Sequence, residues 1–158
     1  MTTLKDAAAE FLAQRRIAVV GVSRDDKQPA NLIYRRLRDS GHEVFAVNPN
    51  AEQVEGDRCY PALRAVPGEA PDGVVVVTTP QVAEQVVAEA QACGIPRVWL
   101  HRGIGPGSSS EQAVEFCSEH GIAVIPGGCP CMFGETSDAG HRCMRVMLQL
   151  SGKVPRTL

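Results

Sequence analysis

The sequence lacks an excess of charge of either sign, with 16 basic side chains against 18 acidic ones and a net charge of −2. Broad electrostatic attraction to nucleic acid is therefore not expected, and an anionic partner has to be held by local groups. Long apolar runs are missing too, so no segment is predicted to span a membrane. The first ten residues mix Lys5, Asp6 and Glu10 with alanines and lack the apolar stretch of a signal peptide, which makes a cytoplasmic location the expectation. Neither a P-loop nor a metal-hydrolase pattern is present, and no residue nominates itself as a general base. The G-x-G-x-x-G fingerprint of dinucleotide sites is absent as well.

Six cysteines are present, but they do not follow the spacing of a small secreted disulfide scaffold. Cys59, Cys93 and Cys117 fall inside or beside regular elements that already predict a good core, so reduced thiols are expected. At 158 residues the chain can bury about two thirds of the surface it exposes when unfolded, and it reads as one domain over 1–158.

Gly41, Gly94 and Gly121 each stand between a helix-like stretch and a short apolar run, which announces three returns from helix to strand and hence a parallel, layered sheet. Periodicity predicts helices over 3–14, 30–40, 80–92 and 137–150, with a short one around 62–66. Another helix is expected after Ser108-Ser109-Ser110-Glu111, a capping-box pattern, and before Gly121. Strands are expected over 17–22, 43–47, 74–77 and 97–100 and around Val124 and Ile125. Strands and helices alternating at this rhythm give an α/β, doubly wound, mainly parallel sheet of about five strands.

In such a sheet a ligand lies outside the carboxyl ends of the strands, where helix N-termini aim free N–H groups into the crevice. Four loops meet that requirement: Gly21 to Lys27, Asn48 to Asn50, Thr78 to Pro80 and His101 to Ser108. Gly21 permits close backbone approach, Ser23 offers a hydroxyl, and Arg24 with Lys27 can meet phosphate charge. A plain βα turn with solvated charges would look similar. Asn48-Pro49-Asn50 stands where a fold built for NAD carries an acid for the ribose hydroxyls, and no acid is there. Thr78-Thr79-Pro80 couples hydroxyls to a helix start, so Thr79 can cap that helix, touch a ligand, or do both. His101-Arg102-Gly103-Ile104-Gly105 is polar and at a strand end, as a glycine-rich surface turn would also be; Gly103 joins the candidate residues. His42, His101 and His120 read as turn or surface residues.

Taken in order, Gly21-Val22-Ser23-Arg24, Val47-Asn48-Pro49, Cys59-Tyr60-Pro61-Ala62-Leu63, Val76-Val77-Thr78-Thr79-Pro80, Gly94-Ile95 with Val98-Trp99-Leu100, and Gly128-Cys129-Pro130 resemble the small CoA-binding domain family. That family is similar to the amino-terminal domain of the succinyl-CoA ligase α subunit, and the likeness covers about residues 10–132. It implies a Rossmann-like domain with coenzyme A across the crevice. On that resemblance Gly21, Ser23 and Arg24 would cradle phosphates, Asn48 and Pro49 would flank the adenosine, and Thr78, Thr79 and Pro80 would line the pantetheine route. Lys27 and Gln28 lie outside the matching blocks.

The phosphohistidine of the ligases lies in a second domain, and His141 has no matching context here. The implied role is therefore CoA or acyl-CoA binding, regulatory or non-catalytic rather than enzymatic. Two rivals stay open. One is an NADP-dependent oxidoreductase, with Arg24 facing a 2′-phosphate; the other is a CoA-ligase or transferase component that needs a partner chain. A homodimer is also open, since small doubly wound domains often pair through exposed helices.

The likeness explains least of the tail, 133–158, and of Cys129-Pro130-Cys131 before it. With His141 and Cys143, these cysteines could make a tetrahedral zinc site if the tail folded back. Alternatively Cys129 could act in redox chemistry near the thiol of bound CoA, or all could be inert packing.

Overall fold

A computed structural model describes residues 1–134 and 137–158; of the tail, residues 135 and 136 thus lie outside the described residues. The chain runs α1 (Leu4–Leu12), β1 (Arg16–Val20), α2 (Pro29–Asp39), β2 (Glu43–Val47), β3 (Gln53–Val54), β4 (Asp57–Tyr60), β5 (Gly73–Val76), α3 (Pro80–Ala92), β6 (Arg97–Leu100), α4 (Glu111–Glu119), β7 (Ala123–Ile125) and α5 (Ala139–Leu150). Single 3₁₀ turns occupy Leu63–Ala65 and Pro130–Met132.

The strands form one sheet in the order β3-β4-β2-β1-β5-β6-β7, parallel throughout except for β3. Counting the parallel strands alone gives 3-2-1-4-5-6, the doubly wound order whose winding reverses between β1 and β5. Successive side chains of β1 point to opposite faces and both faces are covered. Ile17 and Val19 pack with Phe11, Ile33, Leu37 and Trp99, under α1 and α2. Ala18 and Val20 pack with Ala83, Val87, Ala113 and Cys117, under α3 and α4.

The sheet has seven strands where five were expected, and both additions lie in the stretch read as irregular. β4 extends the edge in parallel through Ala46↔Cys59 and Val47↔Tyr60, and β3 folds back on it. The hairpin between them turns on two residues, Glu55 at φ 54° and Gly56 at φ 78°. Positive φ at both central positions is the type I′ geometry, for which Asn-Gly is the usual signal and Glu-Gly is not. α2 holds this hairpin by polar contacts: Arg35 Nη1 and Asn31 Nδ2 reach Glu55 Oε1 at 2.7 and 2.8 Å, and Tyr34 Oη and Arg38 Nη1 each donate to Asp57 Oδ2 at 2.8 Å. The Arg38 guanidinium holds the Asp57 carboxyl below the usual carboxylate range.

Helix boundaries follow capping chemistry. α4 begins one residue after Ser110, whose Oγ accepts the Ala113 N–H at 3.1 Å, so the expected Ser108–Glu111 capping box does not form. α3 spans the expected residues with Pro80 in its first turn, and Thr79 at the N-cap position makes no side-chain capping bond. Gly41, Gly94 and Gly121 end α2, α3 and α4 at φ of 92°, 73° and 69°.

The carboxyl tail returns to the body of the molecule. Arg36 Nη2 pairs with Asp138 Oδ2 at 2.7 Å, and the Leu4 N–H donates to Arg156 O at 2.9 Å. The sole tryptophan, Trp99, is fully buried there, with Nε1 donating to Gly127 O at 2.9 Å and its ring edge-on to Phe11 and tilted on Phe133. No helix among the described residues is long and apolar enough to cross a membrane.

β1 stops at Val20, short of the expected residue 22, because Gly21 turns the chain at φ 111°. A β-carbon at Gly21 would stand 2.1 Å from Val77 O. Gly21→Ala is expected to lower stability by about 3 kcal/mol or more, through strain and overlap with backbone. Gly94→Ala, with nothing within 4 Å of the added carbon, is expected to cost about 1 kcal/mol for its left-handed φ alone. Urea denaturation of both variants checks the contrast.

Candidate functional site

Beyond the carboxyl ends of the strands the crevice divides into two grooves. The first, about 650 Å³, has Thr78, Thr79, Pro80 and Gly103 on its wall, together with His101 and Cys129. The second, about 980 Å³, is bordered by Arg24, Pro49, Asn50 and Arg58. The loop after β1 serves both, with Lys27 and Gln28 on the first and Arg24 on the second. Ser23 and Arg24 share a shallower depression beside the hairpin.

Two candidates line none of these grooves and instead hold the loops together. Gly21 lets its loop pass against the end of β5, as described above. Asn48 Nδ2 donates to Val22 O at 2.9 Å while its Oδ1 accepts the Asn50 N–H at 2.9 Å, which rivets the loops after β1 and β2 to each other. Ser23 is also engaged: its N–H donates to Asn31 Oδ1 at 2.9 Å and its Oγ accepts the Asp25 N–H at 2.9 Å.

Asn31 is fully buried and completes this frame by donating to Ser23 O at 2.7 Å. Sequence reading passed over it because a lone asparagine inside an amphipathic helix carries no motif. Ser108 was missed as well. Read as part of a helix start, it is 1% exposed, and its Oγ accepts the Thr78 N–H at 2.8 Å and donates to Thr78 O at 2.7 Å. This double bond clamps the 101–108 loop across the end of β5.

His101 is not the surface residue expected: it is 8% exposed and walls the first groove. Burial first, then the neighbouring His141, pushes it down to about 4, so the imidazole is neutral at pH 7.

Capping separates the helices at the crevice from the rest. α1, α4 and α5 start on side-chain caps from Thr3, Ser110 and Asp138. α2 and α3, which start at the crevice, have no side-chain cap among the described residues, and each opens with a proline. In α2 the Asn31 N–H turns back to Gln28 O at 3.0 Å; the other first-turn N–H groups of the two helices, and their positive dipole ends, are left to whatever occupies the grooves.

The tail does fold back. Sγ of Cys129, Sγ of Cys131 and a ring nitrogen of His141 all lie within 4.8 Å of one another, whereas Cys143 is exposed and outside this cluster. Cys129 and His141 also reach the first groove. All six cysteines are free.

Residues 15–135 match the family described as CoA binding domain. The chain belongs to that family. Among its relatives is the ADP-forming acetate–CoA ligase II subunit alpha of Pyrococcus furiosus, 28% identical over 127 residues, which are 75% of this chain and 27% of that subunit. The chain thus spans about a quarter of that ligase subunit. A Bacillus subtilis relative called uncharacterized protein YneT is nearer in size, 27% identical over 115 residues that make up 73% of this chain and 82% of YneT. Among solved structures, a hypothetical protein from Pyrococcus horikoshii superposes with a TM-score of 0.73 at 26% identity, covering 80% of this chain and 86% of that one. This member of the family has the α/β Rossmann-like fold expected, with seven strands.

Ser108→Ala is expected to destabilise by about 2 kcal/mol, since it strands both backbone groups of Thr78. The His101 environment predicts an acid response. Folded chains keep His101 neutral down to about pH 4, whereas unfolded chains protonate it near its ordinary 6.5, so the unfolded state holds the extra proton in between. Stability should be full above pH 6.5 and fall by about 3 kcal/mol from this group as acid is added toward pH 4. His101→Gln should flatten that stretch of the profile in urea denaturation at stepped pH.

Proposed function

We propose that the chain binds coenzyme A or an acyl-CoA across the two grooves, and that it acts as a binding or regulatory protein without catalysis of its own. The two helix N-termini left without side-chain caps at the crevice carry this reading, because CoA brings phosphates to a place where free N–H groups wait for acceptors. Arg24 and Arg58 on the second groove suit the 3′-phosphate of the adenosine end, and the wall of Thr78, Thr79, Pro80 and Gly103 suits the pantetheine arm. Gly21 and Asn48 act here by shaping the loops rather than by contact, and Pro49 borders the adenosine groove. A carboxylate at the end of β2 would hold ribose hydroxyls but repel a 3′-phosphate; Asn48 stands there with its side chain spent on Val22 and Asn50. That disfavours NAD, and leaves NADP as the competing dinucleotide.

A second reading follows from the Pyrococcus furiosus relative, named as a ligase subunit: this chain would supply CoA binding to a ligase completed by a partner chain. Copurification with a larger acyl-CoA synthetase-like protein would favour it.

Calorimetry with CoA, dephospho-CoA, acetyl-CoA, NADP and NAD tests the main reading. CoA and acetyl-CoA should give saturable heat, and dephospho-CoA should bind at least about 10-fold more weakly. Arg24→Ala should cost CoA about 10-fold and dephospho-CoA little. Heat from NAD or NADP with none from CoA overturns it.

A further inference from the structure

Cys131 stands in the 3₁₀ turn after β7 with Cys129 at its N-cap, and His141 in the first turn of α5; two separate parts of the chain thus place three metal-ligating donors together. We propose that Cys129, Cys131 and His141 hold a divalent metal ion of the zinc class, with its fourth coordination position open to the first groove.

Geometry and donor chemistry carry this. The donor atoms lie within 4.8 Å of one another, and tetrahedral bonds of about 2.3 Å to sulfur and 2.0 Å to nitrogen need donors about 3.5–3.8 Å apart, so side-chain rotations of about an ångström close the site. The ring of His141 is already aimed: Nδ1 bonds Asp138 Oδ2 at 2.8 Å, which leaves Nε2 as the donor toward the cysteines. Asp138 is itself fixed, accepting the His141 N–H on Oδ1 at 2.8 Å and the Arg36 guanidinium on Oδ2 at 2.7 Å. A carboxylate behind a histidine is the outer support that orients imidazole ligands on zinc.

The donor chemistry makes the choice of ion. Two thiolates and a neutral imidazole neutralise a divalent charge in a place where Cys131 is fully buried and Cys129 is 4% exposed, and sulfur donors favour zinc over magnesium or calcium. Binding releases the two thiol protons to solvent. Cys143 is no ligand, because two residues along a helix from His141 it projects from another face of α5. Since Cys129 and His141 also line the first groove, the unfilled position faces it. There, and resting on the proposed function, CoA can complete the tetrahedron as its thiolate, releasing the thiol proton to solvent, where an acyl-CoA, whose sulfur is held in a thioester, cannot.

Cobalt(II) titrated into the reduced, metal-stripped full chain tests the site. One equivalent should bind, with a thiolate-to-cobalt absorption band that zinc abolishes. Cys129→Ser, Cys131→Ser and His141→Ala should each weaken binding by about 100-fold or more, and Asp138→Asn, which keeps an N-cap acceptor, by about 10- to 100-fold; Cys143→Ser should match the parent. Absence of the band in the reduced parent chain overturns the site, and so does parental affinity in His141→Ala. In the cobalt-loaded chain CoA should shift the band and acetyl-CoA should not. Calorimetric CoA binding without that shift refutes thiol ligation, whereas absence of CoA heat refutes the functional reading and leaves the metal titration standing.

Discussion

The crevice exists because the chain leaves β1 in contact with the carbonyl that ends β5. Only a residue without a β-carbon can make that crossing, since the added atom would sit 2.1 Å from Val77 O. Every later feature of the loop is measured from this point: Val22 O is placed to accept from Asn48, Ser23 to clasp Asn31, and Arg24 to face the adjoining groove. The loops after β1 and β2 are thereby joined before any ligand arrives.

Around that crossing the polar groups divide their labour. Asn31, Asn48 and Ser108 are consumed within the protein and stiffen the rim, each bonding backbone atoms of another loop. Among the groups left available are backbone N–H groups at the starts of α2 and α3 and the guanidinium of Arg24. A frame built this way spends side chains on shape and leaves recognition mainly to helix ends, which suits an extended, multiply charged ligand better than a compact one.

How far the sequence could be read depended on the range of the interactions involved. α3 and β6 were legible to the residue because Pro80 and Gly94 punctuate them locally. The order of the loops was legible for the same reason, and with it the groove walls at Thr78 to Pro80 and at Gly103. The β3–β4 hairpin was not, because its turn is Glu-Gly and its conformation is held by Arg35 and Asn31 on a helix some 20 positions earlier. His101 and Ser108 looked like loop polarity, and only the docking of their loop on β5 buries them. The cysteine cluster was half legible: its donors could be named, but their convergence depends on α5 docking through Arg36 and Asp138, which stand 102 positions apart.

The placement of Trp99 has a practical outcome. As the chain's only indole, it lies between the ring of Phe11 on α1 and that of Phe133 at the start of the tail, with its N–H committed to Gly127 two residues before Cys129. A single tryptophan at the seam between body and tail makes emission excited to the red of tyrosine absorption specific to that seam. Loosening of the tail would wet the indole and redden its light, so the docking of α5 can be followed optically in unlabelled protein.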